Sequence, residues 1–333
     1  MPSWSGACAA RERDGGFEVA VSRPRLLALV GPTASGKTEL AIELAQELGA
    51  EIVSVDSRQV YRRLDVGTAK PDAAARRAVK HHLLDLVEPD QPLDAAAFAR
   101  LGRVAIDAIL AHGRRVLLCG GSGLYLRALT EGLCAAPAAS QALRAELRAE
   151  RAVGGLDALY RELRDVDPLV AARVSPRDEP RIFRALEVYR ATGRPLSSWQ
   201  TDAAREAPYE LETFVLSPPP AQLDERIAAR AAAMWRGGLL AETEAVLRAG
   251  FRPDLAPLQA IGYREAQLFL RGEMAADEAV RAMALATRQY AKRQRTWFRR
   301  SIATWYESAA QKPALLHRAE EFLAREGDSP HLP

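Results

Sequence analysis

RLLALVGPTASGKT, residues 25–38, decides the fold. Its first half, Arg25 to Val30, is a continuous apolar run ended by Gly31. The run is short, and apolar at odd and even positions alike. It predicts a strand covered on both faces in a parallel sheet. The second half fits G-x-x-x-x-G-K-[ST] at every fixed position: Gly31, Gly36, Lys37 and Thr38. The glycines let the backbone curl so that several N–H groups point at phosphate oxygens. A helix beginning at Thr38 adds its positive end. Lys37 supplies a mobile cation, and the Thr38 hydroxyl can ligate Mg²⁺. Gly31, Pro32, Thr33, Ala34, Ser35, Gly36, Lys37 and Thr38 are therefore the expected cradle for a polyphosphate.

The elements around this stretch alternate. Thr38 to Leu48 has helical spacing and stops at Gly49; Glu51 to Val55 reads as a second strand ending at Asp56. Phe98 to His112 reads as a helix, and Arg115 to Cys119 as a third strand running into Gly120-Gly-Ser-Gly123. Strand and helix in turn predict a doubly wound α/β fold, a P-loop NTPase-like parallel sheet core. From 140 to 204 the pattern is helical, with breaks at Gly154-Gly155, Pro168, Pro176, Pro180 and Gly193. Thr213 to Leu216 is a candidate return to the core sheet, and helices follow over about 221–235, 239–249, 262–271 and 275–300. The expected organisation is a loose extension over 1–23, a core over 24–135 and 205–315, a mainly helical insertion over 136–204, and a loose tail over 316–333.

With 333 residues, 48% hydrophobic and 27% charged, the chain has globular rather than disordered composition. A net charge of +3 excludes a uniformly basic coat and leaves room for a local basic patch. Cys8, Cys119 and Cys134 form no CxxC pair, and the histidines, His81-His82 included, match no zinc spacing. No apolar run reaches the roughly 18 residues of a membrane span. A cytoplasmic monomer without membrane contact is expected.

Three further stretches bear on chemistry. Asp56 ends the second strand, at the edge of the sheet that faces a ligand crevice. A carboxylate there can hold Mg²⁺ through water or take a proton from a nucleophile; it can also simply cap a helix. Gln59, three residues on, could read an adenine edge. The third strand ends in glycines where many nucleotide hydrolases carry a magnesium-binding aspartate. This argues against a motor-type ATPase or a GTPase, and the glycines are expected to admit a large ligand to the backbone. From Ala279 to Arg300 no residue is acidic, and Arg288, Lys292, Arg295 and Arg299 share one helical face. With Tyr290, Trp297 and Phe298 among them, this helix predicts nucleic-acid binding. Arg173, Arg177, Arg181 and Arg184 form a second basic cluster in the insertion. A P-loop kinase of small metabolites shares the early motifs but gives the basic helix no task. An RNA-binding NTPase shares the helix and predicts phosphate release from ATP.

Taken in order, GPTASGKT at 31–38, SVDSRQVYRRLDVGTAKP at 54–71, HHLLD at 81–85, GGSGLYLRAL at 120–129, DEPRIFRALEVY at 178–189, IGYRE at 261–265 and ATRQYAKRQRTWFR at 286–299 resemble the bacterial tRNA dimethylallyltransferase family. The resemblance covers about 25 to 300 and implies transfer of a dimethylallyl group from dimethylallyl diphosphate to N6 of adenosine 37, beside the tRNA anticodon, with Mg²⁺. It implies that the P-loop binds the diphosphate and that Asp56 is the general base. Thr33 and Arg230 are implied at the reacting centre, and the metal ligand is Thr38. The implied contacts to the tRNA anticodon stem-loop are Asp56, Ser57, Arg58 and Gln59; Ser122; Arg144; Pro180, Arg181, Ile182, Phe183 and Arg184; Gln259, Ala260, Ile261, Gly262, Tyr263 and Arg264; and Thr287, Arg288, Gln289, Tyr290, Ala291, Lys292, Arg293 and Gln294. Ser122 stands where threonine is frequent in the family, and keeps the hydroxyl.

Overall fold

The computed structural model describes residues 23–134, 136–137, 141–202 and 207–325. Apart from Arg23, the extension expected over 1–23 lies outside them. Six strands build one parallel sheet: β1 (Arg25–Val30), β2 (Ala50–Val55), β3 (His81–His82), β4 (Arg115–Gly120), β5 (Glu210–Leu216) and β6 (Thr304–Tyr306). Their order is β3-β2-β4-β1-β5-β6. The apolar run of β1 serves two cores at once. Leu26, Ala28 and Val30 join one face with Phe98, Ile106, Tyr263 and Phe298. Leu27 and Leu29 join the other with Leu40, Leu44, Phe214 and Tyr306. Alternation across a strand buried on both sides requires this division.

Helices cover both faces. α1 (Lys37–Leu48) buries Leu40, Ala41, Leu44, Ala45 and Leu48 and ends at Gly49 in the left-handed region. α2 (Ala73–Ala78) and α3 (Ala95–Ala111) start at Asp72 and Asp94, whose carboxylates accept from Ala75 N–H and Ala97 N–H. α4 (Gly123–Thr130) follows β4 directly. The segment after it is helical as its pattern predicts: α5 (Gln141–Val166, bent at Gly155), α6 (Pro168–Ala171), α7 (Glu179–Thr192) and α8 (Leu196–Asp202). These helices close on a core of their own around Leu147, Leu159, Leu163, Ile182 and Leu186. Buried Asp167 joins α6 to α8, accepting from Val170 N–H and Ser197 N–H. The chain then adds β5 to the sheet and continues as α9 (Pro220–Met234), a π turn over Trp235–Leu239, α10 (Leu240–Arg248), α11 (Tyr263–Leu270) and α12 (Ala276–Phe298).

The tail expected to be loose from residue 316 is not so through 324. α13 (Lys312–Ala324) lies on the sheet and buries Leu315, Ala319 and Phe322 in the core shared with Leu40, Leu44 and Phe214. Lys312 anchors its start through Glu43 and Glu47 of α1, at 2.9 and 2.8 Å. The apolar residues recur at four and three positions, enough to cover an exposed end of the sheet. Phe322→Ala should therefore cost about 3–5 kcal/mol of stability in urea unfolding, as for a core phenylalanine. A change near zero would return this segment to the loose class.

Candidate functional site

All six strands point the same way, so their carboxyl ends form one crest. Val30 and Val55 are both in register with Gly120, which sets Gly31, Asp56 and Gly121 side by side. A cavity of about 400 Å³ opens there. Thr33, Lys37, Thr38, Asp56 and Arg230 line it, as do Ser57, Arg58, Gln59, Thr287, Tyr290, Arg293 and Gln294. One wall is apolar, made by Ile227, Ala231, Met234, Ile261 and Met283. No sequence signal marks that wall, because its residues come from two separate helices and a loop.

Internal contacts hold the P-loop in shape. Gly36 has φ +90 at the start of α1, a conformation that side chains rarely adopt, so glycine is needed there. Lys37 Nζ donates to the Pro32 carbonyl at 3.3 Å. Arg226 and Arg230 lie one turn apart on α9. Arg226 donates to the Ser35 carbonyl at 3.0 Å and Arg230 to the Thr33 hydroxyl at 3.4 Å. Arg226 was not among the expected site residues; the i, i+4 pair of arginines was its signal. Burial lowers the proton affinity of both Lys37 and Arg230. Among the described residues neither is in an ion pair. Two partly desolvated cations with no paired carboxylate favour a ligand carrying several negative charges.

Asp56 is the one carboxylate among the described residues lining the cavity. Its Oδ1 accepts from Arg58 N–H at 2.7 Å and Gln59 N–H at 3.3 Å, while no hydrogen bond among described residues engages Oδ2. The aspartate thus caps a turn with one oxygen and offers the other to the cavity. Competing bases are weaker candidates. Burial pushes the Cys119 thiol up to about 11. Burial, with the Asp56 carboxylate nearby, pushes the Tyr290 phenol up to about 12. Both stay protonated at neutral pH. Gln59 is already committed: it accepts from Ser54 Oγ and donates to the Thr68 and Ala69 carbonyls, so its carboxamide holds a loop rather than standing free to read a base.

The glycines after β4 do something other than expected. A Cβ on Gly120 would lie 2.0 Å from the Val55 carbonyl oxygen, one on Gly121 2.2 Å from Gln294 Nε2, and one on Gly123 2.1 Å from Trp297 Nε1. The room they make is taken by β2 and α12, not left for a ligand. Ser122, between them, accepts from Ser57 N–H at 3.1 Å and so braces the turn after Asp56.

The loop after that turn is held by Glu242, a residue with no signature in the sequence. Its carboxylate accepts from three successive backbone groups, Asp65, Val66 and Gly67 N–H, at 2.7, 2.8 and 3.1 Å. The Tyr263 hydroxyl donates to it at 2.6 Å. Gly67, Thr68 and Ala69 of this loop line the cavity, as does His81 at the edge strand.

The profile of the IPP transferase family matches residues 59–301. The chain belongs to that family. A tRNA dimethylallyltransferase of Anaeromyxobacter dehalogenans (strain 2CP-C) is 48% identical over 298 residues, 89% of this chain and 99% of that one. The crystal structure of a tRNA isopentenylpyrophosphate transferase from Bacillus halodurans is 34% identical with a TM-score of 0.67, over 90% of this chain and 97% of that one. A eukaryotic dimethylallyltransferase acting on tRNA gives a TM-score of 0.76 at 23% identity, over 93% and 82%, a likeness of fold.

The residues expected to touch RNA in this IPP transferase family member differ in how open they are. Arg288, Gln289, Lys292 and Arg299 are exposed along α12, Arg288 lying 3.6 Å from Asp224. Arg181 and Arg264 are mostly open but pair with Asp178 and Glu265, and Arg144 pairs with buried Glu187 at 2.6 Å. Arg184 donates to the Ala136 and Pro137 carbonyls, Gln259 to Pro253 and Arg58 to Ala256. Pro180 is exposed at the start of α7, and Ala260 and Gly262 lie at the entry to α11. The last group is a correction: Ile182, Phe183, Tyr263 and Ala291 are buried among core side chains, so their side chains present no surface to RNA. Arg295 is also partly withdrawn, its Nε buried without a partner among the described residues.

Glu242→Ala should speed amide hydrogen exchange at Asp65, Val66 and Gly67 by at least about tenfold while lowering global stability by only ~1–3 kcal/mol. Unchanged exchange at those three amides would show that the loop does not depend on Glu242.

Proposed function

We propose that the protein transfers the dimethylallyl group of dimethylallyl diphosphate to N6 of adenosine 37 of tRNA and releases diphosphate. The observation that carries this reading is the cavity, where a lone carboxylate shares the space with Lys37, Arg230 and an apolar wall. The chain's family is one whose members bear the name tRNA dimethylallyltransferase.

The chemistry follows from those parts. A bond forms between adenine N6 and the prenyl C1; the C1–O bond breaks, and its electron pair leaves on diphosphate. Lys37, Arg230 and the loop N–H groups stabilise the charge that grows there, in a site where water is scarce. Ile227, Ala231, Met234 and Met283 give the five-carbon group an apolar seat. The exocyclic amine is a weak nucleophile because its lone pair is delocalised into the ring, so orientation and proton removal matter. Asp56 Oδ2 takes the N6 proton. The base leaves its stack to reach the cavity, while exposed α12 cations and the arginines of the insertion hold the flanking phosphates.

Mg²⁺ fits the donor set. Thr38 and Asp56 line the same cavity and offer hard oxygens, and no cluster of three His, Cys, Asp or Glu exists among the described residues. A Mg²⁺ ion that keeps water and phosphate oxygens needs no fuller protein cage. When bound, it offsets negative charge on the diphosphate.

Incubation with unmodified tRNA, Mg²⁺ and labelled dimethylallyl diphosphate should place label in tRNA; no label, with ATP-dependent phosphorylation of a metabolite instead, would sink the reading. Asp56→Asn keeps the Oδ1 cap and removes the base, so turnover should fall by roughly 10²–10⁴-fold with tRNA affinity little changed. Near-normal turnover would remove Asp56 from the base role. Reversing Arg288 and Lys292 to Glu should weaken tRNA binding and flatten its dependence on log salt by about one to two units. An unaltered slope would place the RNA elsewhere.

A further inference from the structure

Gln294 sits on α12 among residues whose neighbours Lys292 and Arg293 are exposed, yet its own side chain is buried. Both ends of its carboxamide are spent inside the protein. Oε1 accepts from Thr33 N–H at 2.9 Å, and Nε2 donates to the Gly121 carbonyl at 2.9 Å. A Cβ on Gly121 would collide with Nε2, so the contact exists only because that residue is glycine.

The bond to Thr33 has a consequence one peptide away. A trans peptide is rigid and planar, with its N–H and C=O pointing in opposite directions. Holding Thr33 N–H therefore also aims the Pro32 carbonyl. That carbonyl accepts from Lys37 Nζ at 3.3 Å and from Ser35 N–H at 3.4 Å. On the other side of the same residue, the Thr33 hydroxyl accepts from Arg230. One side chain of α12 thus governs the peptide against which Lys37 and Arg230 are set.

We infer that Gln294 is a positioning residue of the diphosphate site and makes no contact with RNA. It holds the Pro32–Thr33 peptide in the orientation that presents Lys37 and Arg230 to a diphosphate. Without it, that peptide is held only through its Pro32 carbonyl, by two long hydrogen bonds, and the loop must be ordered further at the expense of ligand affinity. The identity of the RNA and of the prenyl donor rests on the transferase reading; the role of Gln294 toward diphosphate does not.

The test uses the full-length protein and three separate measurements: calorimetric binding of inorganic diphosphate with Mg²⁺ and no RNA, binding of an anticodon stem-loop RNA alone, and steady-state transfer. Q294M fills the same space and removes both hydrogen bonds. It should weaken diphosphate binding about tenfold, and raise KM for the prenyl donor, with RNA affinity within about twofold of the wild type. Q294E keeps an acceptor for Thr33 but sets a second oxygen against the Gly121 carbonyl. Protonation of that carboxylate restores a donor, so its diphosphate deficit relative to wild type should shrink as pH falls. Charge repulsion by the new carboxylate gives a trend of the same sign, so the neutral Q294M carries the decision, and thermal melting of both variants separates loss of fold from loss of binding. Wild-type diphosphate affinity in Q294M, with weakened RNA binding, would overturn the inference. If the transferase reading alone is wrong, the wild type forms no product while the diphosphate measurement still gives its answer.

Discussion

The site depends on how closely α12 approaches the end of β4. A side chain at Gly121 would displace the Gln294 carboxamide, and one at Gly123 would meet the Trp297 ring. Because the two glycines leave no atoms in the way, a helix with cations on its outer face can also touch the P-loop backbone with its inner face. The cavity floor and the basic surface are two sides of one rigid element. Loss of that approach would separate the phosphate cradle from the rest of the site without breaking any strand.

Electrostatics then acts on what packing has placed. Some cations sit between carboxylates: Arg190 between Glu150 and Glu162, and Lys70 between Asp65 and Asp85. Lys37 and Arg230 have no such pair among the described residues, and Asp56, the one carboxylate lining the cavity, turns one oxygen to its own backbone. The imbalance is local, which is why a net charge of +3 gave no hint of it.

Much of this was legible in the sequence, for identifiable reasons. The P-loop could be read because its geometry demands particular residues at fixed spacing, and Asp56 because strand ends of a parallel sheet face the ligand. α13 escaped because its apolar residues are interleaved with Lys312, His317, Arg318, Glu320 and Glu321 at the end of the chain, and β6 because three residues carry no periodicity. The glycines after β4 were seen but misassigned: sequence reports that backbone must be approached, not by what. Glu242 and Gln294 were opaque in their roles for a common reason. Each acts mainly on backbone groups, which every residue possesses; only the Tyr263 hydroxyl answers Glu242 from a side chain, and its spacing from Glu242 carries no motif.

The uncompensated cations have a thermodynamic side. Burying Lys37 and Arg230 without a paired carboxylate costs free energy within a small net stability. An anion that bound them would relieve the cost only in the folded state, and would stabilise by an amount that grows with the logarithm of its concentration. On the proposed function, resistance to heat and to proteolysis in this chain would not be a fixed property of its sequence. It would rise and fall with the supply of the diphosphate-bearing donor, coupling the protein's lifetime to the abundance of its own substrate.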